Sequence, residues 1–119
     1  MESNSQPFDL SLLVKQSNND REFIRSMLEL FVSRMAEMVK NLEIACNKNN
    51  LKIAYSLSHK MIPSVEMIGS KRFSALLKQV NLQANQGETI NQDVVKKIIS
   101  ESEQVINALA LWLEQGDSL

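Results

Sequence analysis

The stretch from Asn19 to Cys46 constrains the fold more than any other part of the chain. It contains no proline and no glycine, so nothing in it stops a helix once one has started. Ile24, Met27, Leu28, Phe31, Met35, Met38, Leu42, Ala45 and Cys46 recur at helical spacing and form a stripe wide enough for a bundle core. Leu30 and Val32 fall outside it on opposite flanks and are the expected exposed apolar positions. The whole chain of 119 residues has only three glycines and two prolines, and strand-like alternation bounded by turns is absent.

The other segments read the same way. Residues 1–7 and 116–119 are expected to be tails around one domain spanning 8–115. Asp9 is the expected N-cap of a short helix through Leu10, Leu12, Leu13 and Val14, with Phe8 and Leu13 as a hydrophobic staple. Asn19 followed by Glu22 has the spacing of a capping box, and Asn49 is the expected cap of a third helix. Gly69 should end that helix in a left-handed conformation, with Ser70 capping the next. The fourth helix would bury Phe73, Leu76, Leu77 and Val80 and close at Gly87. A last one from Gln92 to Glu114 uses Val94, Val95, Ile98, Ile99, Val105, Ile106, Leu109 and Leu113, with Trp112 packing on the first helix. The expected fold is all-α: an antiparallel four-helix bundle with a short N-terminal helix across one end.

Composition narrows the function. The net charge of −1 gives no field to recruit nucleic acid or an anionic membrane, and Lys71-Arg72 is too small a basic patch to be a nucleic-acid footprint. No apolar run has membrane-spanning length, and the polar start Met1-Glu2-Ser3-Asn4-Ser5 lacks the apolar region of a signal peptide. The single cysteine, Cys46, cannot form an internal disulfide and falls on an apolar helix face, which fits core packing in a cytoplasmic protein. One histidine and one thiol on different faces do not make a metal site. Neither a hydrolytic triad nor a glycine-rich phosphate loop is legible.

The only histidine, His59, lies in the third helix. Successive helical residues turn by about 100°, so Ala54, Leu57, Met61, Val65 and Ile68 fall opposite it and form the buried stripe. Lys52, Tyr55, Ile62, Pro63 and Glu66 share its side. An imidazole facing outward beside lysines and apolar neighbours marks a protein-docking site. A neutral imidazole has a ring nitrogen free to attack a phosphoryl group, while a partner supplies the metal and the electrostatic stabilisation.

With Phe8-Asp9-Leu10, Glu29-Leu30-Phe31, His59 with Met61 two residues later and Gly69 ten later, the chain resembles the histidine-containing phosphotransfer (HPt) family from about Phe8 to Leu113. The resemblance implies a stoichiometric phosphocarrier, not an enzyme, expected to be a cytoplasmic monomer without its own cofactor. His59 would accept a phosphoryl group on Nε2 from a receiver-domain aspartate and pass it to another receiver. Receivers of response regulators or hybrid kinases would be its partners and would bring the magnesium. The family's lysine three residues after the histidine and glycine four after are replaced here by Ile62 and Pro63. Lys60 and Lys52 are the candidate substitutes for the missing charge, and Asn81 stands where members carry a polar residue facing the histidine. Tyr55, Ile62, Pro63 and Glu66 would flank the docking site, with a local kink or widened turn expected at Pro63. The alternative reading is a helical adaptor that binds a receiver or kinase without phosphotransfer.

Overall fold

The computed structural model describes residues 7–115. Five helices follow one another: α1 (Ser11–Gln16), α2 (Arg21–Asn47), α3 (Leu51–Met67), α4 (Lys71–Asn85) and α5 (Gln92–Gln115). The protein is all-helical, with no strand among the described residues. Helix α2 packs on α3 and α5, and α4 packs on the same two helices. The core between them is apolar, with Ile24, Leu28, Met61, Val65, Phe73, Leu77, Ile98 and Leu109 nearly or fully buried. Trp112 is half-buried against it, and Arg25 of α2 ties in the end of α5 by donating to the Leu113 carbonyl at 3.1 Å. No helix among the described residues is long and apolar enough to cross a membrane.

The helix ends explain where the sequence-based expectation slips by one residue. Asn18, Asn49, Gly69 and Gly87 all have positive φ, and each sits just beyond a helix. After α2, the Asn49 N–H donates to the Cys46 carbonyl and the Asn50 N–H to the Ala45 carbonyl, which is the bonding of a Schellman motif. Asn49 therefore closes α2 rather than opening α3, and Asn50 is the cap, accepting from the Ile53 N–H at 3.3 Å. The same correction applies earlier: Asn19 has φ 64°, and Asp20 caps α2 by accepting from the Phe23 N–H at 3.1 Å. Asparagine suits both roles, because its short side chain tolerates the left-handed region and also accepts a capping bond.

Leu10 rather than Asp9 is the N-cap of α1; Asp9 stands one residue earlier, its Oδ1 accepting from the Ser11 N–H at 2.9 Å and the Ser11 hydroxyl at 2.6 Å. Those bonds hold its carboxyl below the usual carboxylate range. Its backbone N–H donates to the Ile68 carbonyl at 2.9 Å, tying the start of the domain to the α3–α4 corner. Gly69 is needed there twice over, for φ +70° and because an added Cβ would fall 2.1 Å from the Asp9 carbonyl oxygen. Phe8 and Leu13, the expected staple, are both buried.

Candidate functional site

Helix α3 presents His59 as the periodicity predicts. Ala54, Met61 and Val65 on its opposite face are 0 % exposed, while His59 is exposed. The imidazole stacks on Tyr55, one turn earlier, with ring centroids 5.8 Å apart and planes inclined by 13°. Among the described residues it has no hydrogen-bond or ion-pair partner, so both ring nitrogens remain open to solvent chemistry. The helix runs through Pro63 from Leu51 to Met67 as unbroken α-helix, without the widened turn, one of the two disturbances expected there. Proline cannot donate, so the His59 carbonyl lacks the usual bond from position 63.

Asn81 of α4 faces α3, but its amide does not go to the imidazole. It donates to the Tyr55 carbonyl at 3.3 Å and to the Ser58 hydroxyl at 3.1 Å, and Ser58 in turn donates to the Tyr55 carbonyl at 3.1 Å. Asn81 thus fixes the turn that carries the ring partner of His59. Ser58, fully buried, has no place in the apolar pattern, so periodicity alone passes over it.

The two flanks of His59 differ. On the α2 side, Lys60, Ser64 and Met67 form one wall of an apolar groove of about 210 Å³. Met27, Leu30, Phe31, Arg34 and Met38 form the other. The groove explains why Met27, expected in the core stripe, is exposed and Met38 only half-buried, whereas Val39, outside that stripe, is buried. On the α4 side, Ile62 is half-buried against the core. Pro63, about 40° round the axis from His59 in the opposite sense, is exposed. Glu66, on the α4 side, accepts a charge-assisted bond from Lys78 of α4 at 2.7 Å and a longer one from the Ser74 hydroxyl at 3.5 Å. Lys78 holds the Glu66 carboxyl below its ordinary range, with a smaller contribution from Ser74. Lys52 is exposed near the start of the helix.

Lys78 is the site residue that sequence reasoning missed. Ser74, Lys78 and Asn81 share one face of α4 at helical spacing, so orienting Asn81 toward α3 orients Lys78 as well. No group of three His, Cys, Asp or Glu residues among the described residues could hold a metal ion. Cys46 is buried, and burial pushes its thiol up to about 11. Compared with known proteins, the chain matches no family model, no curated protein and no solved structure.

Proposed function

We propose that the protein is a phosphocarrier of the HPt type, with His59 as the acceptor. The observation that carries this reading is the placement of the sole imidazole: exposed on a helix whose opposite face buries Ala54, Met61 and Val65, stacked on one ring and otherwise unpartnered. The packing of α2 and α4 on both α3 and α5 supports reading these four as an antiparallel bundle with α1 at one end. In the proposed reaction Nε2 attacks the phosphorus of a receiver's aspartyl phosphate. The acyl O–P bond breaks, the aspartate leaves as carboxylate, and the N–P bond forms. The reverse sequence delivers the group to a second receiver, and the receiver contributes the metal in both directions.

The groove beside Lys60 supports a receiver as the docking partner, because its apolar walls lie next to the acceptor and carry Arg34 and Lys60. Incubation with a panel of phosphorylated receivers tests the reading. The wild type should acquire acid-labile, alkali-stable label, and His59→Gln should fold normally and acquire none. Label retained by His59→Gln would remove His59 from the role, and binding without transfer would favour the adaptor reading.

A further inference from the structure

We infer that Lys78, donated from the neighbouring helix, is the cation that meets a phosphoryl group on His59, and that Glu66 holds it in reserve until then. This rests on the phosphocarrier reading above. Lys52 and Lys60, on the histidine's own helix, are the cations nearest it in sequence. Lys60 projects about 100° round the axis and borders the α2–α3 groove. Lys52 lies seven residues away, about 10 Å along the axis. The opposite seam is better placed. Tyr55, His59, Ile62 and Glu66 form one stripe along α3, and Ser74, Lys78 and Asn81 form the facing stripe of α4.

Two contacts fix the register of this antiparallel pairing: Asn81 on Ser58 at 3.1 Å, and Ser74 on Glu66 at 3.5 Å. Interpolation between them sets Lys78 level with Met61 and Ile62, about 4 Å along the axis from His59. Its side chain currently extends away from the histidine, toward Glu66 at 2.7 Å. Both ends of this ion pair are half-exposed, so the lysine is free to change rotamer without unpacking the core. Phosphorylation places a second anion on the same seam. Lys78 then exchanges Glu66 for the phosphoryl oxygens, leaving the Glu66 carboxylate to solvent.

Phosphoramidate tests this without a receiver. Nε2 attacks its phosphorus, the P–N bond breaks, and the electron pair leaves with ammonia; the charge left on the ring is relieved by loss of the Nδ1 proton to solvent. The observables are the labelling rate and the half-life of the phosphohistidine. Lys78→Ala should slow labelling about five-fold, the scale of one exposed charge contact, and Lys78→Arg should restore most of the rate. Glu66→Gln should accelerate labelling, and the gain should disappear in the Glu66→Gln, Lys78→Met double variant. A merely structural bridge predicts the same sign for Glu66→Gln and Lys78→Ala, since either breaks it, and that result would overturn the proposal. Wild-type labelling with unchanged Lys78→Ala kinetics would refute the role of Lys78 alone. Absence of wild-type label from both phosphoramidate and receivers would refute the phosphocarrier reading and this inference with it.

Discussion

Replacing Gly69 by alanine should reveal how tightly the α3–α4 corner is bound to the start of the domain. Two costs combine. A residue with a Cβ in the left-handed region costs about 1–2 kcal/mol. The new Cβ would also fall 2.1 Å from the Asp9 carbonyl oxygen, so the Asp9 backbone must retreat. That retreat gives up the Asp9 N–H bond to Ile68, worth about 1 kcal/mol, and loosens Phe8, whose burial contributes on the order of 1–2 kcal/mol more. Gly69→Ala is therefore expected to cost about 3–5 kcal/mol. Gly87 is an internal control, since its φ is +74° but no atom lies within 4 Å of an added Cβ. Gly87→Ala should cost only the conformational part, about 1–2 kcal/mol. Urea unfolding of both variants, followed by far-UV circular dichroism, separates the two contributions. Equal losses would refute the close approach of Asp9 to the corner.

Further outcomes follow from the same geometry. Because Lys60 borders the groove, Lys60→Ala should slow transfer from a phosphorylated receiver several-fold while leaving labelling by phosphoramidate unchanged; Lys52→Ala should alter neither. Asp20→Ala should cost about 1 kcal/mol through loss of the α2 cap, and an unchanged unfolding midpoint would show that the cap lies elsewhere. Cys46, buried and with its thiol pushed up to about 11, should resist alkylation at about pH 8 in the native protein and react readily in denaturant. Fast native alkylation would contradict its burial.

Much of the helical layout was legible in the sequence because helical periodicity is a local signal. The bounds of α5, the exposure of His59 and the burial of Ala54, Met61 and Val65 all follow from spacing within one segment. The helix caps slipped because a run of asparagines supports two readings, and only φ distinguishes Asn49 closing α2 from Asn50 opening α3. The surroundings of His59 were less legible. Lys60 and Lys52 stand out in the sequence because they share its helix, whereas Lys78 enters only through the register between α3 and α4. The spacing of Ser74, Lys78 and Asn81 puts all three on one face of α4, but their level against α3 is set by side-chain packing between the two helices and not by any pattern within α4. The exposure of Met27 has the same kind of cause: the stripe on α2 is wider than the surface its neighbours cover.

The proline in α3 also has a mechanical consequence. Without an N–H at position 63, the helix lacks one rung of its ladder at the residue that bears the imidazole. Bending at that point stretches one bond fewer than anywhere else in the helix interior. The fully buried Ala54, Met61 and Val65 anchor the inner face to the core, so compliance is directed outward. His59 thus sits on the one turn of α3 whose outer backbone bond is missing, above a buried inner face that stays in place.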